Sequence, residues 1–302
     1  MPTPLEQATV RTLAWFSLTG YPVTVFEVWK WMIEPERTYE LSEVYRAFAE
    51  SEWLRQKVQF QEGFYALKGT LPLAKQIEGR HDRFVDALRK FRILKRVLPF
   101  IQIVPGVQSV GVVNTLSWWF TNRESDIDLY IITRPNHIWL TRLLLVAPFA
   151  LLKKRPHTGA QDPFCFSFFS TREALQMERV KLERDYYLAF WCKSIVSLVD
   201  HQGDLIQFQQ ENRWVNRVLP HAHARSVHPY QTLRYHISFP ISLGWLNAMS
   251  RTLQRRRLPA TLKEIANTDS RVVVTDEMLK FHQNDRREFY RDAFESLLER
   301  HL

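Results

Sequence analysis

Residues 113–129 read VNTLSWWFTNRESDIDL, and the run continues YII to residue 132. Asp126 and Asp128 stand one residue apart among apolar neighbours. The two-residue period of a strand puts both carboxylates on one face. Adjacent carboxylates repel unless positive charge lies between them, and a divalent cation is the usual answer. In isolation an Asp-x-Asp can equally be two solvated charges at an exposed strand start. The context argues otherwise. Ser109–Val113 is strand-like, Asn114 and Thr115 open a turn of about ten residues, and the acidic strand follows. A strand, a small polar turn and a carboxylate-bearing strand can hold a triphosphate and its metal together.

Outward from this stretch, the pattern predicts strands over 109–113, 126–133 and 164–169, with a helix over about 136–152 and a basic loop over 153–157. The run 138–152 is about fifteen residues long with Arg142 and Pro148 inside. It is shorter than the ~20 residues of a membrane span and reads as a core helix. In FCFSFF (164–169) the polar face carries Cys165 and Ser167. Ser170–Glu173 has the form of a capping box and predicts a long helix reaching about Val199.

The first 70 residues read as a small helical domain closed by a hairpin. Thr3–Glu6 and Thr24–Glu27 are capping boxes. A third helix is expected over about 38–51, then alternation over 53–67 with a turn at 61–63. Three helices and a two-stranded wing resemble a winged helix-turn-helix. The third helix carries Glu40, Glu43 and Glu50 against Arg46 alone, and acidic charge facing phosphate is unfavourable. Sequence-specific duplex DNA is therefore not expected as a partner. Residues 71–99 read as a basic linker helix. Phe84, Leu88, Phe91 and Leu94 form its apolar stripe, Arg80, Arg83, Arg89, Lys90, Arg92, Lys95 and Arg96 form a solvated face, and Pro99 closes it. Residues 201–302 read as a helical, Arg-rich region. His221, His223 and His228 lie near Pro220 and Pro229, which makes them a loop rather than a metal site.

Composition bounds the class. The chain has 302 residues, 45% hydrophobic and 13% aromatic, which suits a folded protein of two or three domains. Its net charge of +9 fits phosphate-bearing partners but also serves solubility. Nine glycines, with neither a P-loop nor Gly-x-Gly-x-x-Gly, exclude the Gly-rich phosphate loops. Two cysteines, Cys165 and Cys192, read as buried thiols in a reducing compartment. With no secretory signal pattern and no membrane span, a cytoplasmic location is expected.

The acidic stretch resembles the DNA-polymerase-β-like nucleotidyltransferase superfamily. That pattern is an apolar residue, Gly, then Gly or Ser, about nine to thirteen residues, then Asp-apolar-Asp-apolar. Here Val113, Asn114 and Thr115 precede Asp126-Ile127-Asp128-Leu129 by ten residues. The resemblance implies an α+β protein with an N-terminal winged-helix-like domain (1–70), the linker helix (71–99), a central nucleotidyltransferase-type α/β domain with a small mixed sheet (100–200) and a C-terminal helical region (201–302). It implies that Asp126 and Asp128 hold Mg²⁺ (or Mn²⁺), while Asn114, Thr115 and Ser125 contact the nucleotide.

Three departures accompany it. Asn114 replaces Gly, and Asn is the next most tolerant residue for a left-handed conformation. Trp118, Trp119 and Phe120 crowd the turn. The strand at 164–169 has no carboxylate, which leaves Asp162 just ahead of it as the nearest third catalytic acid. The expected function is Mg-dependent transfer of a nucleoside monophosphate from a nucleoside triphosphate to a hydroxyl on RNA, protein or a small molecule. The alternative is a nucleotide-sensing or interaction module that kept the fold and lost the chemistry. A third carboxylate beside the pair separates the two.

Overall fold

The computed structural model describes residues 1–156, 158–200, 202–223 and 244–302. Helix α1 (Pro4–Ser17) and α2 (Val25–Lys30) start at the two capping boxes, each formed in full by Thr3 with Glu6 and Thr24 with Glu27. Helices α3 (Leu41–Glu50) and α4 (Glu52–Lys57) follow, then the hairpin β1 (Val58–Gln61) and β2 (Phe64–Leu67). Glu62 and Gly63 both have positive φ, 52° and 81°, as a tight two-residue hairpin turn requires. Val23, between α1 and α2, adds an antiparallel bridge to Tyr65. The strand expected from Trp53 begins only at Val58, because the Ser51 hydroxyl accepts from the Leu54 N–H and starts α4.

The long helix α5 (Leu73–Ile103) passes through Pro99 rather than stopping there. Pro99 removes one backbone donor, but Leu94, Leu98 and Ile101 on either side are buried against the sheet and hold the helix in register. Its basic residues are not a uniformly solvated face. Arg80 pairs with Glu27 at 2.7 Å, Arg89 pairs with Asp86 and Asp162, and Lys90 is fully buried.

Among the described residues the main sheet has six strands in the order β6-β3-β4-β5-β8-β7. Strand β3 (Val107–Val112), the short helix α6 (Asn114–Ser117), β4 (Ile127–Thr133), α7 (Ile138–Leu151) and β5 (Phe164–Thr171) follow in chain order. β3 and β4 are antiparallel, while β4 and β5 are parallel and joined by the α7 crossover. Gly106, at φ 90°, makes the turn into β3, where a Cβ would lie 2.3 Å from the Thr141 hydroxyl.

Beyond β5 the expected long helix is absent. Ser170 pairs with Met278 and the Thr171 N–H donates to the Glu277 carbonyl, so the apparent capping box belongs to the sheet. A 3-10 turn (Met177–Val180) leads instead to α8 (Tyr186–Ser194), capped by Asp185. Strand β6 (Val196–Asp200) pairs with β3. The last third is not only helical. Helices α9 (Asp204–Glu211), α10 (Val215–Val218), α11 (Gly244–Arg257), α12 (Ala260–Ile265) and α13 (Arg287–His301) are joined by β7 (Val272–Val274) and β8 (Met278–Phe281), which extend the sheet. The architecture is thus α+β, built on one mixed sheet.

The alternation of β4 divides the core. Ile127, Leu129 and Ile131 pack with α5 and α7 on one face. Tyr130 and Ile132 pack on the other with α8, α9 and the N-terminal helices. That second core is continuous with the first 70 residues: Trp118 lies 4.6 Å from Trp31, and Trp15 stacks on Phe190 at 4.9 Å. Among the described residues no helix is long and apolar enough to cross a membrane; α7 lies against the sheet as a core helix.

Candidate metal and nucleotide site

Asp128 shares the parity of Tyr130 and therefore emerges on the α8 face of the sheet. Asp126 lies one residue before β4 and reaches the same side. In the parallel pair, Cys165 sits directly opposite Asp128, with an irregular register just beyond it. Such irregularities re-aim side chains at strand ends. Ligand atoms of Asp126, Asp128 and Cys165 all lie within 4.8 Å of one another, and all three residues are half-buried. The sequence signal for Cys165 was its place on the polar face of the FCFSFF alternation.

Asn114 occupies the left-handed region at φ 55°. It thus adopts the conformation for which the superfamily pattern uses Gly, at the tolerable cost that Asn carries there. Its side chain hydrogen-bonds the Asp128 carboxylate, and its Oδ1 accepts from the Tyr187 hydroxyl at 3.4 Å. Burial and then the neighbouring Asp126 push Asp128 up to about 6, with the Cys165 thiol, Asn114 and Lys90 opposing the shift. Burial, with the charge of Asp128, also pushes the Cys165 thiol up.

The other expected residues are placed differently. Asp162 lies outside the cluster of Asp126, Asp128 and Cys165. Its two oxygens accept from Arg89 at 2.5 and 2.6 Å, and Lys90 lies at 3.5 Å. The Arg89 hydrogen bonds hold its carboxyl below the usual range. The Ser125 side chain turns back to Asn122 in a local turn, its hydroxyl donating to Oδ1 at 2.8 Å. Its carbonyl accepts from Lys90, so a buried lysine of α5 tethers the start of the acidic strand. Thr115 is exposed and faces a second, aromatic cavity. His221 is used structurally, accepting the Tyr39 N–H at 3.0 Å; His157, His228 and Pro229 lie outside the described residues.

A cavity of about 840 Å³ opens at Asp128. Asn114, Asp128 and Cys165 line one side, and Arg142, Arg155, Arg257 and Lys280 contribute cations to the rest. Arg142 donates to Gln254 at 2.6 Å and lies over the Phe281 ring. Burial, with Arg155 nearby, lowers it to about 10. The Nε atoms of Arg142 and Arg155 are buried without a partner among the described residues. Lys280 is lowered by burial to about 8 and lies 3.3 Å from Asp285. Burial pushes His282, which bonds Ser167 at 3.1 Å, down to about 3, so it is neutral at ordinary pH. The arrangement places the Asp126, Asp128 and Cys165 cluster beside a cavity to which arginines and a lysine contribute positive charge. Sequence reading missed these cations because α7, the segment carrying Arg155, α11 and β8 meet only in the folded chain.

Comparison with family models, with curated proteins and with solved structures finds no match to this chain.

Proposed function

We propose that the chain binds a metal–nucleoside triphosphate on a nucleotidyltransferase-type scaffold whose transfer chemistry is weakened. The single observation that carries this reading is Cys165 opposite Asp128, where the superfamily pattern calls for a carboxylate. The antiparallel β3–β4 pair, the left-handed Asn114 between them and the parallel β5 strand support the scaffold. The arginines of the cavity support a polyphosphate ligand. Asp126 and Asp128 suit Mg²⁺ or Mn²⁺; a thiol is a softer donor than a carboxylate and shifts preference toward Mn²⁺. Such an ion would neutralise phosphate charge. The missing element is the base for an acceptor hydroxyl, since Asp162 is held by Arg89.

Full transfer of a nucleoside monophosphate to RNA, protein or a small molecule is the second reading. It is favoured by the retained Asp126/Asp128 pair. Helices α1 to α3, the Val23 bridge and the hairpin support a winged-helix-like module, with the short α4 inserted before the hairpin. Its third helix supports protein contact over duplex DNA, because Glu43 is paired with Arg37 and Glu50 is exposed. A cytoplasmic location belongs to the same proposal.

The test incubates full-length protein and Mn²⁺ with each α-labelled nucleoside triphosphate, mixed RNA and the protein itself as acceptors. Calorimetry runs in parallel. Binding with slow or no label transfer is expected. Rapid transfer lost in Asp126→Asn/Asp128→Asn would establish the second reading, and absence of all nucleotide binding would sink both.

A further inference from the structure

A second cavity lies between the N-terminal helices and α8, and the site described above leaves it unused. Its volume is about 130 Å³. Its walls are rings, with Trp15, Phe16, Trp118 and Phe190 prominent among them. These walls are braced from behind: Trp31 lies 4.6 Å from Trp118, and Trp15 and Phe190 are within 9° of parallel. A cavity with walls already set does not lose ordering entropy when a ligand enters.

Its position matters as much as its shape. Asn114, Tyr187, Trp191 and Tyr290 line both this cavity and the cationic one. Asn114 also hydrogen-bonds Asp128. One end of a ligand could therefore meet the carboxylates while the other enters the aromatic walls. We infer that this cavity takes the base of the nucleotide whose phosphates occupy the cationic cavity, and that the base is a single-ring pyrimidine. The inference rests on the nucleotide-site reading and names its substrate class.

Two features decide for a pyrimidine. An apolar cavity of about 150 Å³ holds one benzene-sized ring, and about 130 Å³ matches one ring more closely than the fused pair of a purine. The lining carries the Asn114 amide and the hydroxyls of Thr19, Thr115 and Ser194; Thr115, at the rim, has no side-chain hydrogen bond among the described residues, while the Thr19 hydroxyl donates to the Phe16 carbonyl and the buried Ser194 hydroxyl bonds Ser117 and the Trp191 carbonyl. A hydroxyl both donates and accepts, which serves the carbonyl edge of uracil and the amino edge of cytosine alike. The aromatic faces stack on either base.

The experiment titrates full-length protein in Mn²⁺ with UTP, CTP, ATP, GTP and inorganic tripolyphosphate by calorimetry, with tryptophan fluorescence as a second readout. UTP and CTP should bind at least tenfold more tightly than ATP, GTP or tripolyphosphate, and should quench tryptophan. Thr19 is an exposed rim residue of the aromatic cavity that does not line the cationic one. Thr19→Trp should fill the aromatic cavity and lower UTP affinity to that of tripolyphosphate, with tripolyphosphate binding kept within twofold as evidence of an intact fold. Purines binding as well as pyrimidines, or UTP affinity untouched by Thr19→Trp, would overturn the base assignment. Equal binding of all four nucleotides and tripolyphosphate would remove it while leaving the phosphate site. No polyphosphate binding at all would remove the nucleotide-site reading and this inference together.

Discussion

Asp128 and Asp162 stand at the starts of neighbouring parallel strands and have opposite surroundings. Asp162 meets the Arg89 guanidinium on both oxygens, with Lys90 beside it, and its carboxyl is held below the usual range. Asp128 meets Asn114, a thiol and the charge of Asp126, and burial raises it to about 6. The first carboxylate is matched by protein cations and ties α5 to the sheet. The second sits where added positive charge would stabilise it, and it opens on a cavity. The comparison teaches that a carboxylate's proximity to a motif does not assign its role; its counter-charge does.

The largest effect should come from Asp128→Asn. Changing outer-shell partners of a metal site commonly costs 10–100-fold, so removing a ligand should weaken Mn²⁺-dependent tripolyphosphate binding by about a hundredfold or more. Calorimetry on a variant with unchanged circular dichroism checks this, and wild-type affinity would take Asp128 out of the site. Asp162→Asn should do the reverse. It removes one of the two carboxylates, Asp86 and Asp162, that Arg89 and the buried Lys90 share. Breaking a buried pair costs about 3–5 kcal/mol, but Arg89 is 37% exposed, so roughly 2 kcal/mol is expected in urea unfolding, with binding little changed. A binding loss larger than the stability loss would return Asp162 to the site.

Cys165→Asp sharpens the same contrast by supplying the absent acid. Transfer of label should rise by about a hundredfold or more, the low end for a positioned base, and Mg²⁺ should support it as well as Mn²⁺. A variant that binds nucleotide and stays inactive would show that more than the third carboxylate is missing.

The smallest effect concerns pH. The folded carboxyl of Asp128 titrates at about 6 against an ordinary value of 3.8. Its ionisation therefore opposes folding. The cost is absent below the ordinary value, grows between about pH 4 and 6, and is constant above. The full rise is worth about 3 kcal/mol, but Asp128 is half-buried, so without metal Asp128→Asn should stabilise the protein at pH 7 by about 1–2 kcal/mol and by only a few tenths at pH 4. Thermal unfolding at the two pH values, with and without Mn²⁺, reads it directly; a destabilised variant at pH 7 would contradict the shift.

Much of the architecture was legible in the chain. The two Thr capping boxes, the Glu62–Gly63 turn, β3, β4, α7 and β5 follow from local rules, because capping, φ > 0 and a two-residue period are properties of a few consecutive residues. The failures share one cause. Ser170 and Thr171 have the right residues for a cap but pair with Met278 and the 277 carbonyl, a partner a hundred positions away. Pro99 should stop α5, yet the packing of Leu98 and Ile101 carries the helix past it. Lys90 looked solvated because nothing nearby in sequence reveals the Ser125 carbonyl waiting for it.

The sequence by itself determined the same-face pairing of Asp126 and Asp128, the left-handed tolerance of Asn114 and the polar-face position of Cys165, since each depends only on backbone period and residue type. The tertiary structure alone decided that Cys165 joins the pair while Asp162 does not, and that arginines from separate elements face it. Strand register and helix packing select which charges meet, and the resulting electrostatics depend on distances that no local pattern encodes.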